Sequence, residues 1–268
     1  MQESPPSWEA LRARFNACGL PFAFVIPAYN HPRNLRSVVL AALSSGAPVI
    51  VVDDGSTDGT ADALAEPMGA VVVRHERNQG KGAAILTGLQ LAAASPVGAR
   101  FAVTVDADGQ HRPDDARNLL AAIATDMARC LVLGSRVGMR GRAVPWSSRF
   151  GRGFSGFWVR ASGGPSVSDS QTGFRVYPLP ETLALPTRAR RFQFEVEVLV
   201  HAHRAGIPIR EVPVGVAYNP PGGRVSHFRP WRDFARNAAT FTRLIARRCL
   251  PRRSCCSRSL GKDVRHGR

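Results

Sequence analysis

Short apolar runs alternate with amphipathic stretches along the first half of the chain. The runs are rich in β-branched residues, and most stop at a proline, a glycine or an acid, which is typical of buried strands. Five strands are predicted over residues 22–26, 47–52, 70–74, 101–105 and 131–133. Between them, apolar residues at helical spacing predict helices over residues 34–43, 60–65, 82–94 and 114–124. Strands that alternate with helices predict the α/β class with a mostly parallel sheet.

The second half of the chain is less regular. Residues 138–168 are rich in Gly, Arg and Ser, which predicts a mobile loop over a site. A helix is predicted over residues 192–205, and an alternating strand over residues 211–218. The proline inside that strand, Pro213, predicts a position at a sheet edge or at a bulge.

The chain ends in a predicted amphipathic helix over residues 231–250, followed by a basic tail. Aromatic and aliphatic residues recur at helical spacing along this helix, and arginines lie off the apolar stripe. Such a helix can pack on its own domain or lie in a membrane interface. We expect its first turns to pack on the domain, and its last turns and the tail to meet a membrane.

The length of 268 residues fits one large domain with an appendage. We divide it into an N-terminal extension (residues 1–20), a globular domain (21–228), the amphipathic helix (229–250) and a tail predicted to be disordered (251–268). No apolar run approaches the roughly 20 residues that span a bilayer, and the first residues do not resemble a signal peptide. The five cysteines lack metal-ligand spacing, which indicates reduced thiols in a cytoplasmic protein.

Positive charge is concentrated at the C-terminus. Residues 229–268 carry twelve Arg or Lys and two Asp, so ten of the sixteen net positive charges lie there. This asymmetry predicts an anionic partner, with a simply solvated tail as the alternative. No basic motif with interleaved aromatic residues indicates nucleic-acid recognition. We therefore expect peripheral binding to the inner face of the cytoplasmic membrane, and no specific nucleic acid.

Two carboxylates and a carboxamide directly follow the strand predicted over residues 101–105. Asp106 and Asp108 are two positions apart, and Gln110 comes next. Their oxygens suit a hard cation such as Mg²⁺ or Mn²⁺, which keeps coordination positions open for substrate phosphates. The alternative is a plain turn, because Asp and Gly are turn formers. Convergence after a buried strand favours a metal site.

Polar residues also follow other predicted strands, at residues 27–30, 53–54 and 134–136. Ligands of parallel sheets bind beyond the carboxyl ends of the strands, where these residues fall. The run from Asp54 to Gly59 resembles half of an EF-hand, but Ala65 stands where that loop needs a bidentate carboxylate. We assign Asp54 to ligand binding and Asp58 to a structural turn.

The segment Asn78–Gly82 resembles part of a phosphate loop. It lacks two features of a Walker motif, because His75 stands at the first glycine and Gly82 at the Ser or Thr, so a P-loop is excluded. Lys81 lies between two glycines that would let its backbone approach a ligand closely. The alternative for Lys81 is a solvated helix start.

Residues 169–175 contain an acid, an amide and a guanidinium. The acid, Asp169, could act as a general base, and the alternative is a turn with a surface salt bridge. Further along, Glu195 and Glu197 lie two positions apart on a predicted helix. They should point in different directions, so at most one of them faces the site.

Together these segments resemble a family 2 glycosyltransferase with the GT-A fold, and within it the branch of dolichyl-phosphate mannose synthase-like enzymes. The resemblance covers residues 22–230, and its motifs stand in the family's order. They are Pro27–Asn30, Val52–Thr60, Asn78–Gly82, Asp106–Gln110, Gly134–Arg136 and Asp169–Arg175. The resemblance implies transfer of a sugar from a GDP- or UDP-sugar, with inversion at the anomeric carbon and with Mg²⁺ or Mn²⁺ as cofactor.

The resemblance also implies roles for individual residues. Donor binding would involve Pro27, Tyr29, Val52, Asp54, Lys81, Asp106, Ala107 and Arg136. The metal would be bound by Asp108 and Gln110, with Asp106. The acceptor would contact Arg149, Gln171, Arg224 and His227. The catalytic set would be Asp169, Arg136 and Asp108.

The chain departs from the family pattern in places. His31 stands where the family often has a glutamate, and Arg224 and His227 stand in the region of an Arg and a Lys of the synthases. Many relatives with polyprenyl acceptors carry transmembrane helices, whereas we expect this chain to reach a lipid or lipid-phosphate acceptor peripherally. A soluble or saccharide hydroxyl acceptor, with Asp169 as general base, is the alternative. A nucleic-acid-binding protein is a distant one.

Overall fold

The computed structural model describes residues 21–60, 62, 69–94, 97–124, 129–136, 155–216 and 238–246. Several predictions lie outside these residues. They concern the N-terminal extension, the tail, four of the six residues of the helix over residues 60–65 and more than half of the loop over residues 138–168. The domain boundaries proposed from the sequence therefore stay predictions.

The described residues form one seven-stranded sheet. Its strands are β1 (Phe22–Ala28), β2 (Val49–Asp53), β3 (Val71–Arg74), β4 (Phe101–Thr104), β5 (Leu131–Arg136), β6 (Arg175–Pro178) and β7 (Ile209–Val214). Their order across the sheet is β3-β2-β1-β4-β6-β5-β7. Strand β6 is antiparallel to β4 and β5, and the other pairings are parallel. The predicted α/β class is confirmed, and β7, with its proline, lies at an edge.

Helices cover both faces of the sheet. They are α1 (Leu35–Leu43), α2 (Lys81–Ala93), α3 (Ala116–Ala124) and α4 (Gln193–Arg204). Each end lies within two residues of its prediction, and a short 3₁₀ turn, Pro113–Asp115, replaces the predicted start of α3. Residues 155–161 and 238–246 are also helical.

The core has two layers, one on each face of the sheet. Leu35 of α1 and Leu119 of α3 pack on one face, and Leu89 of α2 and Leu199 of α4 pack on the other. Successive residues of a strand contribute to opposite layers. A strand that is covered on both faces therefore needs an unbroken apolar run, which is the pattern found in the sequence.

Strand β6 is missing from the sequence predictions. It has only four residues and begins with the fully buried Arg175. The guanidinium of Arg175 donates hydrogen bonds to the carbonyls of Thr172, Ser170 and Glu195 at 2.7–2.8 Å, which offsets its burial. The partner on Glu195 is brought close only by the fold. A strand that starts with a charged residue also lacks the apolar run by which the other strands were predicted.

The predicted mobile loop over residues 138–168 is wrong for residues 155–161. Residues 155–161 are helical, and Val159 is buried against Val196 and Val200 of α4 and against Phe241. Apolar side chains spaced along a Gly- and Ser-rich segment were enough to dock it on α4.

The described part of the C-terminal helix, residues 238–246, packs on the domain. Phe241 and Leu244 are buried against α4, and Phe241 stacks on Trp158 with ring centroids 5.8 Å apart. Ala238, three positions before Phe241 and therefore in line with it on the predicted apolar stripe, is exposed. In the described residues, no helix combines the length and the apolar character that crossing a bilayer requires. The rest of the predicted helix lies outside the description.

A fully buried carboxylate, Glu197, ties this helical stretch to the domain. It accepts hydrogen bonds from the amides of Arg188 and Ala189, at 2.8 and 2.6 Å, and from the guanidinium of Arg243 at 2.7 Å. Burial alone would raise the pKa of Glu197, but the nearby His201 ring, the two amides and Arg243 lower it to about 2 from an ordinary 4.5.

We expect Glu197→Gln to lower the free energy of unfolding by about 3 kcal/mol at pH 7, because Arg243 loses a buried partner. The folded-state pKa lies below the unfolded one, so this stabilisation is complete above about pH 4.5 and is lost as the pH falls toward 2. Urea unfolding at several pH values measures it. The control is Asp114→Asn, which breaks an exposed pair with Arg112 and should cost less than about 1 kcal/mol. Equal losses in both variants would contradict the prediction.

Candidate active site

The predicted site residues gather at one edge of the sheet, where β1, β2, β4 and β5 end. Pro27 and Val52 are register partners, and Val25 pairs with Thr104, which places Asp106 beside the end of β1. The side chains of Val52 and Ala107 are buried in the core, so only their main chains could contact a ligand.

The loops after β1 and β2 are bonded to each other. The amide of Asn30 donates to the Ser56 hydroxyl at 3.0 Å, and the amide of Thr57 donates to the Asn30 carboxamide oxygen at 3.0 Å. Asn30 has a φ of 54°, a left-handed conformation that asparagine tolerates. Asp58 accepts bonds from the amide and hydroxyl of Thr60, so it forms the structural turn assigned to it.

Asp54 organises the loop that precedes α2. Its buried carboxylate accepts hydrogen bonds from the amides of Gln79 and Gly80, at 2.9 and 2.7 Å, and lies 2.8 Å from Nδ1 of His75. The sequence did not predict this structural role. The ligand role assigned to Asp54 stays a prediction, and a ribose would have to share these oxygens with two amides.

The glycines around Lys81 serve helix packing. Gly80 has a φ of 109°, and a Cβ there would lie 2.6 Å from the carbonyl oxygen of Arg190. A Cβ on Gly82 would lie 2.4 Å from Cβ of Phe194. The expectation that these glycines let the backbone approach a ligand finds no support here, because the space is filled by the segment that leads into α4.

Lys81 is held between two carboxylates. Its Nζ lies 2.7 Å from Oδ1 of Asp106 and 2.8 Å from Oε1 of Glu195. Burial by itself lowers the pKa of an ammonium, but the two acids outweigh it and hold the pKa of Lys81 above its ordinary value. The alternative of a solvated helix start is wrong, because the Lys81 side chain is only 18% exposed.

The two acids after β4 have pKa values that are shifted in opposite directions. Burial raises the pKa of Asp106, but Lys81 outweighs burial and keeps it below its ordinary value. Burial and the charge of Asp106 together raise the pKa of Asp108. A divalent cation would relieve this repulsion, so the donor set fits one. The Asn34 side chain holds the turn by donating to the Asp108 carbonyl at 2.7 Å.

Among the described residues, no three His, Cys, Asp or Glu side chains form a closed metal site. A cation bound by Asp106, Asp108 and Gln110 would thus complete its shell with waters or substrate oxygens, as Mg²⁺ commonly does.

The turn over residues 169–173 packs directly against Asp106. A Cβ on Gly173 would lie 2.2 Å from Oδ2 of Asp106, so a larger residue there would displace that carboxylate. The hydroxyl of Thr104 donates to the Gly173 carbonyl at 2.8 Å and fixes the contact. The motifs around Asp106 and Asp169, which are far apart in sequence, are therefore one structural unit.

Arg136, at the end of β5, forms a bidentate ion pair with Asp169. Nε lies 2.5 Å from Oδ2, and Nη2 lies 3.0 Å from Oδ1. The carboxylate of Glu211, on β7, accepts from the amide of Ser168 at 2.9 Å and from its hydroxyl at 2.7 Å, which supports the turn from below. Gln171 is exposed at the turn. The surface alternative for Asp169 is wrong, because Asp169 is 3% exposed.

His111 directly follows the Asp106–Gln110 motif, and no role was predicted for it. It is 5% exposed and stacks on Phe174 with ring centroids 5.3 Å apart. Burial lowers the pKa of His111, and Arg136 lowers it further, while the charges of Asp106 and Asp108 act to raise it. His111 thus joins the acid turn to the segment after Asp169 through its buried ring. Its place directly after Gln110 was the available signal.

Three predicted acceptor residues, Arg149, Arg224 and His227, lie outside the described residues. Their roles stay predictions.

The sequence matches a known family across most of this sheet. The model of the family described as Glycosyl transferase family 2 matches residues 23–181. This stretch is more than half of the chain. The chain belongs to glycosyl transferase family 2. It is therefore a glycosyltransferase, and the resemblance found in its motifs is confirmed.

Similar proteins within the family include two lipid-phosphate glycosyltransferases. The chain is 32% identical over 215 residues to the UDP-N-acetylglucosamine–dolichyl-phosphate N-acetylglucosaminyltransferase of Methanococcus voltae, which covers 72% of this chain and 84% of that protein. It is 32% identical over 202 residues to the undecaprenyl-phosphate mannosyltransferase of Micrococcus luteus, which covers 71% and 81%.

A solved structure shares the fold. Glucosyl-3-phosphoglycerate synthase of Mycobacterium tuberculosis, crystallised with Mg²⁺ and uridine diphosphate, matches with a TM-score of 0.63. The match covers 94% of this chain and 86% of that one, at 22% identity. The predicted GT-A fold is confirmed for this family 2 enzyme.

Proposed function

We propose that this glycosyltransferase moves a sugar from a nucleotide-sugar donor to a polyprenyl-phosphate type of acceptor at a membrane surface, with inversion at the anomeric carbon. The observation that carries the proposal is the meeting of Asp106 and Asp108 with Lys81 and the Arg136–Asp169 pair at one sheet edge. Alternating acids and cations suit a diphosphate whose charge grows as it leaves.

The donor would lie across the carboxyl ends of β1 and β2. Pro27 and Tyr29 stand at the end of β1 beside the end of β2, where they would contact a nucleobase. The diphosphate would then reach the acid turn. The similar enzyme of Methanococcus voltae supports a nucleotide-sugar donor, because its name specifies UDP-N-acetylglucosamine. The names of both similar transferases specify a lipid-phosphate acceptor.

Asp108 and Gln110, with Asp106, would hold Mg²⁺ or Mn²⁺. When bound, the cation supplies positive charge to the leaving diphosphate. The residues fit it, because Asp108 is a half-buried carboxylate whose pKa is raised by burial and by its neighbour Asp106.

An acceptor phosphate would act as the nucleophile. Its oxygen attacks the anomeric carbon while the bond from that carbon to the diphosphate breaks, and the nucleoside diphosphate leaves. A phosphate oxygen is already anionic, so this step needs no strong base. The bidentate pair of Asp169 with Arg136 suits a positioning role for Asp169, since both carboxylate oxygens already accept from a guanidinium.

The lipid would be reached from the cytoplasmic side by peripheral binding. Residues 247–268, which follow the docked helical stretch, carry eight Arg or Lys and one Asp. Each cation near an anionic membrane contributes about 1 kcal/mol of attraction. Docking of Phe241 and Leu244 on α4 would hold this basic segment next to the enzyme.

We expect the wild type, with Mn²⁺, to transfer sugar from one GDP- or UDP-sugar to a polyprenyl phosphate. Asp108→Ala should lose about 100-fold or more in rate, since the cation loses a ligand. Radiolabelled sugar extracted with the lipid measures transfer. The exposed Asp114→Asn is the control and should keep full activity. Transfer to soluble saccharides alone would overturn the acceptor, and full activity of Asp108→Ala would overturn the metal site.

We expect Asp169→Asn to retain transfer to polyprenyl phosphate within about tenfold. An amide still orients Arg136, and a general base would be worth about 100-fold or more. The rate measured from pH 5.5 to 8.5 distinguishes these cases. A loss of that size, together with loss of an ionisation in the pH profile, would instead favour a hydroxyl acceptor with Asp169 as base.

We expect Arg252→Gln with Arg253→Gln to weaken binding to phosphatidylglycerol-containing vesicles by about 30-fold, from two lost attractions of about 1 kcal/mol each. Vesicle co-sedimentation measures this affinity. Arg112→Gln with Arg117→Gln removes the same charge from exposed positions on the domain and should change little. Equal weakening by both pairs would show a diffuse charge effect and contradict a C-terminal membrane contact.

A further inference from the structure

The lysine at the start of α2 joins three parts of the chain that are far apart in sequence. Lys81 bonds to Asp106, which follows β4, and to Glu195, in the first turn of α4. The Glu195 side chain is 5% exposed, whereas that of Asp106 is 26% exposed. One partner of the ammonium is thus enclosed in the fold, and the other faces the site.

We propose that Glu195 is a positioning residue for the Lys81 ammonium, and that the sharing of this ammonium sets how much negative charge Asp106 presents to a divalent cation. The inference rests on the proposed function, because it assigns the acid turn to a cation. Glu195 itself does not touch the cation in this proposal.

The surroundings of Glu195 hold it in place. Its main-chain carbonyl accepts a hydrogen bond from the buried guanidinium of Arg175 at 2.7 Å. The preceding residue, Phe194, contacts the Gly82 position so closely that no Cβ fits there. These contacts fix the main chain of Glu195, from which its buried carboxylate reaches the Lys81 ammonium at 2.8 Å.

The charges predict opposite effects for the two partners of the bridge. With Glu195 intact, Lys81 divides its charge between two carboxylates, and Asp106 keeps part of its negative charge. When the charge of Glu195 is removed, Lys81 neutralises Asp106 alone, and the cation loses attraction. When the charge of Lys81 is removed, Asp106 is no longer shared, and the cation gains attraction.

The test measures Mn²⁺ binding to the full-length protein without donor. Electron paramagnetic resonance of the free Mn²⁺ monitors this binding. We expect Glu195→Gln to weaken Mn²⁺ binding about tenfold. This loss is in the range typical of replacing a residue that supports a metal ligand. We expect Lys81→Met to tighten Mn²⁺ binding severalfold. A residue with a merely structural role would weaken binding in both variants, so equal signs would overturn the proposal.

Glu197→Gln is the matched control. It removes a buried carboxylate from the same helix, but that carboxylate pairs with Arg243. We expect lower stability and unchanged Mn²⁺ affinity. Circular dichroism reports whether each variant folds. If Glu195→Gln does not fold, the sign for Lys81→Met decides, and weaker Mn²⁺ binding by that variant overturns the proposal.

Different results would overturn this inference and the proposed function. Wild-type protein that transfers sugar but shows no Mn²⁺ binding, or shows equal signs in the two variants, overturns the inference alone. Opposite signs in a protein that transfers no sugar support the positioning role and overturn the proposed function.

Discussion

The bridge from Lys81 to Asp106 and Glu195 is the interaction on which the site depends. Buried charges are costly unless they are paired closely, so the three elements that carry them must approach within hydrogen-bond distance. Glycines occupy positions 80, 82 and 173, where neighbouring segments pack so closely that a Cβ would clash with them. Close packing at these glycines in two distant motifs thus accompanies the ionic contact.

Other buried polar groups hold the loops that surround this bridge. Asp54 binds the amides before α2, Arg175 binds the carbonyls of the turn after Asp169, and Glu197 binds the segment before α4. Each satisfies main-chain groups that irregular segments would otherwise leave unpaired inside the protein. Residues that resemble ligand-binding residues in the sequence, Asp54 above all, therefore also serve to shape the site.

The two sides of the site differ in construction. On the side proposed to bind the donor, β1 lies between β2 and β4, with Pro27 paired to Val52 of β2 and with Asp106 following β4. On the other side, Arg136 and Asp169 pair with each other at the end of the short antiparallel strand arrangement around β6. Bonded loops on the proposed donor side, with an ion pair opposite, would suit a nucleotide-sugar donor, whose diphosphate gains charge as it leaves.

The sequence by itself determined the α/β class, most helices and strands, and the strand ends where the site would lie. These features follow from local periodicity and from the prolines, glycines and acids at which the apolar runs stop. Only the tertiary structure decided that β6 exists, that residues 155–161 form a helix, and that Lys81 is bridged. The partners that explain these features, such as Glu195 for Lys81 or Glu211 for Ser168, lie tens to more than a hundred residues away. Local patterns carry no record of such pairs, since folding alone brings them together.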